Sequence, residues 1–422
     1  MEKRAIMQPV NPVLPEVGFT AERLLAPQQA IVAFFSRVSV TPPGIETVKL
    51  EDAPGRVLAA AVVADDDYPN APRSLMDGFA IAARCAPGHL KIVADIAMGV
   101  APKAALTGDC AMRVPTGGML PAGADAVVPI EDVRVEDDRV CIDETVEAGA
   151  NVAQKGADMH EGELLLEPRR RISAAEIGVL ATVGATEIPV YRRPQIAVLS
   201  SGDELVAPSQ QPRPGEIRDS NRYAVATSLR AMGAAPRHYP TMRDEADEFE
   251  RVLASAVAEC DGVVLTGGSS VGQRDRLPDA VARIADPGVI VHGLRVKPGK
   301  PTLLGAHGVK PIVGLPGNPA SALFILEAVA APIVAALTGA PVEASTVAAR
   351  LAEPAVSRAG WTCYIPVALK HDGGLPLAHP LAVRSFSVSL AARADGFIIM
   401  SERDDRWPAG APVTVYRFLG GC

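Results

Sequence analysis

The stretch Asp261–Gly272 reads DGVVLTGGSSVG and decides the fold. Its apolar half predicts a buried strand. Its glycines and serines predict a loop that a ligand can approach closely, because glycine leaves the main chain open. Asp275 follows this loop and could start a helix or hold a cation. In open α/β sheets, ligands bind at loops that follow the carboxyl ends of strands. Taken alone, this loop could equally be a tight turn before a capped helix.

The same pattern recurs after three other apolar runs. These runs and their loops are Gln195–Leu199 with Ser200–Glu204, Val289–His292 with Arg295–Pro301, and Lys310–Val313 with Gly314–Pro319. The carboxyl ends of parallel strands lie along one edge of a sheet, so we expect the four loops to form one site. Residues 193–344 alternate strands with amphipathic helices, which predicts a doubly wound, three-layer α/β domain.

The composition excludes some classes of function. A length of 422 residues suggests about two to four domains. The net charge of −8 argues against a general nucleic-acid surface. Six scattered cysteines without a CxxC pair favour a reducing cytoplasm. The apolar segment Ser321–Gly339 contains Glu327 and Pro332, so we expect a buried core helix and no membrane span.

The regions outside the α/β segment predict three further domains. Residues 65–147 hold short alternating runs between turns and predict an inserted β-rich domain. Residues 18–64 and 148–192 are helical or extended and form a discontinuous N-terminal linker domain, in which Ser173–Glu176 reads as a capping box. Residues 345–422 alternate again and predict a C-terminal β-barrel domain.

Lysines and carboxylates in these loops carry the candidate chemistry. The segment KPGKP at 297–301 places two lysines on a chain stiffened by prolines, which suits an anion. The Gly314–Pro319 loop precedes a helix and could offer N–H groups to an oxyanion. Each feature is also common as a solvated turn, a plain helix start or a cap. The loop carboxylates, which could hold a hard cation, are Asp77, Asp158, Glu204, Asp244 and Asp275.

In their order along the chain, these segments resemble the molybdopterin molybdenumtransferases (molybdenum insertases). This is the MoeA family, which includes the C-terminal domain of gephyrin. The matching segments run through most of the chain. They are SLMDGFA at 74–80, RVPTGG at 113–118, PAGADAVVPIED at 121–132, GAD at 156–158, SSGDEL at 200–205, GEIRDSN at 215–221, RDE at 243–245, TGGSSVGQRD at 266–275, KPGKP at 297–301 and GLPGNPASA at 314–322.

The resemblance implies an enzyme that uses adenylylated molybdopterin and molybdate as substrates. It inserts molybdenum into the dithiolene and releases AMP, which gives molybdenum cofactor. The resemblance also implies Mg²⁺ as cofactor and a cytoplasmic homodimer, in which the sheet domain of one subunit shares a cleft with the small β-domain of the other. The implied partners are the pterin, the adenylyltransferase and molybdoenzyme apo-proteins in transient contact, with no nucleic acid and no membrane.

The family's functional residues carry over onto matching positions. The implied catalytic acids are Asp275, Glu204, Asp244 and Asp158, and Glu204 and Asp275 lie near the metal and the adenylate phosphate. The implied substrate-binding residues are Gly267, Gly268, Ser270, Lys297 and Lys300 for the pterin phosphate; Pro298, Pro301, Pro316 and Asn318 for the molybdate side; Asp77 and Thr116 across the dimer; and Ser220.

Some positions depart from the family pattern. Ser269 stands where the family commonly has Val, and Phe79 where it commonly has Tyr. The segment Asn151–Asp158 lacks the usual Arg and Glu, and Arg384–Ser387 lacks its glycines. These departures suggest a divergent paralogue. Two alternatives stay open: a molybdopterin adenylyltransferase, which needs only the sheet domain, and a non-catalytic pterin-binding carrier or scaffold.

Overall fold

The computed structural model describes residues 24–243, 246–267, 277–341, 345–371, 373–382 and 388–418. These residues form two compact units. The sheet–barrel unit contains the described residues of 24–47, 55–59 and 189–418, and the inserted unit contains 48–54 and 60–188. The predicted fold class, a multidomain α/β protein with a β-barrel, is confirmed. The four domain boundaries stay a prediction.

Helices are concentrated in the sheet–barrel unit. The α-helices among the described residues are α1 (Pro27–Phe35), α2 (Ala174–Thr182), α3 (Asn221–Ala231), α4 (Ala246–Glu259), α5 (Leu277–Ile284), α6 (Pro319–Ile325), α7 (Ala331–Thr338) and α8 (Ser389–Arg393). A π-helical turn, Leu326–Ala330, joins α6 to α7. Short 3₁₀ helices lie at Leu50–Asp52, Ala83–Cys85 and Ile130–Asp132.

Strands occur throughout the described chain. Those before residue 192 are β1 (Ile45–Lys49), β2 (Val62–Val63), β3 (Arg73–Ser74), β4 (Gly78–Ile81), β5 (Gly88–Asp95), β6 (Cys110–Val114), β7 (Ala126–Pro129), β8 (Arg134–Glu136), β9 (Arg139–Ile142), β10 (Val152–Ala153), β11 (Leu164–Leu166) and β12 (Glu187–Tyr191). Those after it are β13 (Gln195–Ser200), β14 (Leu205–Val206), β15 (Ile217–Arg218), β16 (Ala235–His238), β17 (Gly262–Thr266), β18 (Pro287–His292), β19 (Val296–Lys297), β20 (Leu303–His307), β21 (Lys310–Leu315), β22 (Thr346–Leu351), β23 (Ala355–Val356), β24 (Thr362–Lys370), β25 (Leu377–Pro380), β26 (Gly396–Met400), β27 (Arg406–Trp407) and β28 (Pro412–Arg417).

The main sheet has the strand order β16-β13-β17-β21-β20-β18. It is mixed rather than wholly parallel, because the two residues between β20 and β21 can connect only antiparallel strands. Strand β18 is antiparallel to β20, so it runs in the same direction as β13, β17 and β21. The four predicted strand ends therefore lie at one edge, which we term the carboxyl edge.

The sheet carries helices on both faces, as the sequence predicts. Alternate strand residues enter two cores: Ile196 and Val198 pack with α1, α3, α6 and α7, whereas Ala197 and Leu199 pack with α4 and α5. Among the described residues, one helical stretch, Pro319–Thr338, is long and apolar enough to cross a membrane. It is 67% buried over its most apolar window, and its side chains belong to the first core.

The C-terminal strands form the predicted barrel. The order β24-β25-β22-β28-β26 is closed by pairing of β26 with β24. Buried Val367, Ile398 and Val415 fill its interior. Strand β19 adds to the barrel in parallel with β24, with Lys297 opposite Cys363. The barrel therefore fixes the start of the KPGKP segment.

The inserted unit is built on a six-stranded sheet of order β7-β4-β6-β5-β9-β8. Phe79, the departure from the family's Tyr, is fully buried in one of its cores. The capping box at α2 is confirmed: the Ser173 hydroxyl accepts from Ala175 N, and Glu176 Oε2 accepts from Ser173 N at 2.8 Å. Hydrogen bonds from Ser173 and from Arg170 lower the pKa of Glu176 to about 2.

Candidate functional site

The loops at the carboxyl edge line a cavity of about 910 Å³, which we term the first cavity. Its walls come from the loops after β13, β17 and β21, from the paired strands β14 and β15, and from the start of α3. The structure brings six of the predicted residues together here. They are Glu204, Ser220, Gly267, Pro301, Pro316 and Asn318.

Main-chain packing around Gly267 explains why these loops need glycine. Gly267 has φ +87°, and a Cβ on it would lie 2.3 Å from the carbonyl oxygen of Ser201. A Cβ on Gly317 would lie 3.8 Å from Gly267 Cα. The loops after β13, β17 and β21 therefore approach each other backbone to backbone, with peptide groups at the cavity wall.

Glu204 brings a carboxylate to the same wall. The main chain holds the residue, because its carbonyl oxygen accepts from Ile217 N at 2.8 Å. The carboxylate folds back over Gly202, where a Cβ would lie 2.7 Å from Oε2 and 2.8 Å from Oε1. Glu204 is exposed and lines the cavity, so its negative charge faces the space that a ligand would fill.

Asp219 and Asn221 also line the first cavity, and sequence reasoning assigned neither of them to ligand binding. Asp219 Oδ1 accepts from Arg222 N at 3.1 Å, so Asp219 rather than Ser220 caps α3. Asn221 Nδ2 donates to the carbonyl of Gly317 at 2.8 Å. Among the described residues, neither Asp219 Oδ2 nor Asn221 Oδ1 has a hydrogen-bond partner, although both atoms are buried. A capping aspartate uses one oxygen only, and the sequence gives no signal about the other.

A second cavity of about 730 Å³ lies between the sheet domain and the barrel. Lys297 and Pro298 line it, together with Arg358 of the barrel, which the sequence analysis also missed. Asn318 and Ser321 line both cavities, so the two adjoin at the start of α6. There, Asn318 Oδ1 accepts from Ser321 N at 3.3 Å as the helix cap.

The KPGKP segment is anchored by packing. Gly299 has φ +113°, and a Cβ on it would lie 2.3 Å from Ile325 Cδ1 of α6. Half-buried Lys300 follows, and its carbonyl accepts from Leu294 N at 2.8 Å. The segment therefore distributes the predicted residues between two cavities: Lys297 and Pro298 line the second, and Pro301 lines the first.

Three predicted residues lie in the inserted unit. Asp77 and Thr116 bond to each other: Asp77 Oδ1 accepts from Thr116 N at 2.6 Å and from Thr116 Oγ1 at 3.0 Å. These two bonds, the backbone one first, lower the pKa of Asp77. Asp158 is exposed, and its N–H donates to the carbonyl of Tyr68 at 3.0 Å.

The remaining predicted residues lie outside the described part of the chain. They are Asp244, Gly268, Ser270 and Asp275, together with the departures at Ser269 and Arg384–Ser387. Within the described part, no group of three or more His, Cys, Asp or Glu side chains could hold a metal ion.

A cavity at the carboxyl edge of an α/β sheet, lined by glycine loops and polar side chains, defines a small-molecule-binding α/β protein. Family models match nearly the whole described chain. "MoeA N-terminal region (domain I and II)" matches residues 25–184, "Probable molybdopterin binding domain" matches 197–336, and "MoeA C-terminal region (domain IV)" matches 348–418.

Named relatives agree with these models. A molybdopterin molybdenumtransferase of Nostoc sp. is 35% identical over 304 residues, 70% of each chain. One of Synechocystis sp. is 32% identical over 380 residues, 87% of this chain and 93% of the relative. Two crystal structures of a molybdopterin biosynthesis MoeA protein from Pyrococcus horikoshii each cover 94% of this chain and all of their own. Their TM-scores are 0.79 at 30% identity and 0.83 at 24% identity, and the latter shows the fold alone. The chain belongs to the molybdopterin molybdenumtransferase family, as its sequence motifs predict.

Proposed function

We propose that this protein inserts molybdenum from molybdate into adenylylated molybdopterin and releases AMP. The observation that carries the proposal is the pair of adjoining cavities at the carboxyl edge. One cavity presents the carboxylate of Glu204 beside peptide loops, and the other presents the cations of Lys297 and Arg358. Relatives with this function in their names align along most of the chain, which supports the same reaction here.

The first cavity suits the adenylylated pterin. Its volume of about 910 Å³ lies in the range of cavities that enclose cofactor-sized ligands. The N-terminus of the helical stretch that begins at Pro319 carries a positive partial charge, which favours a phosphate. In this proposal the phosphoanhydride lies near these groups and Glu204, and the heterocycles extend along β14 and β15.

Mg²⁺ fits the donors available at this wall. The ion takes one or two carboxylates, keeps several waters and binds substrate phosphate oxygens, so Glu204, with Asp275 by resemblance, could hold it. Bound Mg²⁺ would offset the negative charge on the phosphoryl oxygens. The main-chain hydrogen bond between Glu204 and Ile217 limits where the Glu204 carboxylate can reach.

The second cavity suits molybdate, a tetrahedral dianion. The ammonium of Lys297, which the resemblance assigns to the pterin phosphate, and the guanidinium of Arg358 are donors with the required charge, and Glu353 is the one carboxylate among the described residues of the lining. The shared wall at Asn318 and Ser321 places the oxyanion side next to the adenylate side. In this proposal the sites of AMP release and of metal insertion therefore adjoin at the start of α6.

Further proposals rest on the family. Asp77, Thr116, Asp158 and Asp244 would complete the cleft in a cytoplasmic homodimer, with Asp77 and Thr116 supplied by the opposite subunit. Lys300, Ser270 and Gly268 would help to hold the pterin phosphate. The adenylyltransferase and molybdoenzyme apo-proteins would be transient partners.

AMP release from adenylylated molybdopterin tests the function directly. We expect release that depends on both Mg²⁺ and molybdate, and no consumption of ATP. Consumption of ATP with molybdopterin, in place of AMP release, would identify an adenylyltransferase. Tight binding of the adenylylated pterin without AMP release would identify a carrier or scaffold, and would contradict the proposed reaction.

A further inference from the structure

The first cavity contains two buried hydrogen-bond acceptors that the fold does not use. Asp219 is 3% exposed, and its Oδ2 has no hydrogen-bond partner among the described residues. The same is true of Asn221 Oδ1. Unpartnered buried acceptors are unfavourable and rare in native proteins, most of all on a charged group, and each one calls for a ligand or a water.

The neighbouring hydrogen bonds fix both groups as acceptors. Asp219 Oδ1 is occupied by Arg222 N, and the backbone N–H of Asp219 donates to Val206 at 2.9 Å. The Asn221 amide is oriented by Gly317, because a carbonyl oxygen can only accept and must face the amide nitrogen. The amide oxygen is therefore the unpartnered atom. A ligand must bring hydrogen-bond donors to this pair.

Strands β14 and β15 bring apolar side chains to the adjacent wall, which Glu216 and Arg218 also line. Leu205 pairs with Ile217 across β14 and β15, and Ile217 is 52% exposed although it is large and apolar. Val388 is 56% exposed and lines the same cavity, as does Pro212. Exposed apolar side chains beside a few polar groups are typical of a site for a planar ring.

We propose that Asp219 and Asn221 recognise the N–H edge of the pterin ring. The inference rests on the proposed function and specifies which heterocycle of the substrate lies at this wall. The pyrimidine edge of a pterin presents an amino group beside a ring N–H, which are adjacent donors. Adenine presents one amino group flanked by acceptor nitrogens. Asp219 and Asn221, two residues apart in sequence, each bring one acceptor to the same cavity, which fits the first pattern. A carboxylate meets N–H donors with strong, charge-assisted bonds.

A divalent cation is a weaker candidate for the same pair. Mg²⁺ requires near-octahedral oxygen ligands, whereas Asp219 and Asn221 offer one unpartnered oxygen each. Within the described residues, no group of three or more His, Cys, Asp or Glu side chains that could hold a metal lies at this wall.

Separate binding of the two halves of the substrate tests the proposal. Anaerobic titrations measure the dissociation constants of molybdopterin and of AMP for wild type, Asp219→Asn and Asn221→Ala. In Asp219→Asn the amide oxygen of the new side chain can still accept from Arg222 N. The NH₂ group of that side chain would then face the pterin N–H groups, so that donors would meet donors. We expect molybdopterin to bind about 10-fold to 100-fold more weakly, and AMP to stay within about twofold. Asn221→Ala should weaken molybdopterin by about threefold to tenfold.

Asp247→Asn is the matched control, because exposed Asp247 lies on α4, which packs on the opposite face of the sheet. It should bind both ligands as wild type does, and thermal unfolding confirms that each variant is folded. If Asp219→Asn does not fold, the Asn221→Ala titrations decide the matter. Equal losses for AMP and molybdopterin, a loss for AMP alone, or unchanged binding of molybdopterin would overturn the proposal.

The outcome is separable from that of the proposed function. Selective weakening of molybdopterin in a protein that releases no AMP supports this recognition and contradicts the insertase. Molybdate-dependent AMP release by wild type, together with unchanged molybdopterin binding in both variants, supports the insertase and overturns this recognition. A calcium or magnesium titration that protects wild type but not Asp219→Asn from thermal unfolding would assign the pair to a cation instead.

Discussion

The first cavity and the Asp77–Thr116 pair both contain carboxylates, but these differ in whether they have hydrogen-bond partners. In the inserted unit, one oxygen of Asp77 accepts two hydrogen bonds from Thr116, and the pair links two loops that are 39 residues apart in sequence. In the cavity, Asp219 Oδ2 is buried without a partner, and the Glu204 carboxylate lies over Gly202 at the open wall. The presence of hydrogen-bond partners, rather than residue type, therefore distinguishes a carboxylate that links two loops from one that is left to bind a ligand. Substitutions in the cavity should change ligand binding or AMP release. Substitutions of the pair should change local structure.

Glu204→Gln should have the largest effect. The variant keeps the shape and the main-chain bond to Ile217 but removes the negative charge that the proposed reaction uses. We expect AMP release to fall about 100-fold to 1,000-fold, the usual range for loss of one electrostatic catalytic group. Glu248→Gln, on α4, is the matched control and should retain wild-type release. Comparable activity of the two variants would mean that the Glu204 carboxylate has no part in the reaction.

Gly267→Ala tests whether backbone contact builds the first cavity. A Cβ at Gly267 meets the Ser201 carbonyl and also requires a left-handed φ, so we expect about 3 kcal/mol of destabilisation. Gly215→Ala is the control, because Gly215 has φ +92° but nothing within 4 Å of a Cβ, so it should cost about 1 kcal/mol. Chemical denaturation measures both values. Equal losses would show that strain in φ, and not the contact with Ser201, dominates.

Lys297→Ala should distinguish the two cavities. If the second cavity holds molybdate, the variant needs about 10-fold more molybdate for half-maximal AMP release, while the affinity for AMP stays unchanged. Lys297 is exposed, so salt screens its charge. Added salt should therefore raise the molybdate concentration for half-maximal AMP release more in wild type than in the variant. Lys370→Ala, in the barrel strand β24, serves as the charge-matched control. An unaltered molybdate requirement in Lys297→Ala would place the oxyanion elsewhere.

The sequence could predict the carboxyl edge because its signals are local. An apolar run followed by a glycine loop, such as the one after Thr266, indicates a strand end from neighbouring residues alone, whatever the later course of the chain. The Ser173–Glu176 capping box is local as well, and it forms as predicted. The reversal at β20 was missed because it depends on a two-residue connection between two similar apolar runs.

The division into two cavities could not be predicted, because it depends on tertiary pairing. Lys297 faces the second cavity because β19 joins barrel strand β24, far along the chain. A helix cap at Asp219 accounts for Oδ1 and says nothing about Oδ2. The sequence also placed Asp77 and Thr116 together in function but could not show that they bond to each other.

Thr116→Val gives the smallest expected effect and tests the Asp77 carboxylate, whose hydrogen-bond partners are present. Valine keeps the shape and the backbone N–H, which is the main cause of the lowered Asp77 pKa, and removes the hydroxyl. The pKa of Asp77 should therefore rise only part of the way to its ordinary value, as a carboxyl NMR titration would show. Thr182→Val, in α2, should leave it unchanged.

The pH dependence follows from the sign of that shift. A carboxylate with a lowered folded pKa stabilises the fold above its unfolded pKa, and this contribution is lost as pH falls through the folded pKa. Thr116→Val should lose it at a higher pH than wild type does, because its folded pKa lies closer to the ordinary value. A tenfold loss of AMP release with an unmoved Asp77 pKa would instead mean that the Thr116 hydroxyl contacts substrate. The Asp77–Thr116 pair would then bind ligand, as the first cavity is proposed to do. The presence or absence of hydrogen-bond partners would then no longer distinguish structural carboxylates from ligand-binding ones.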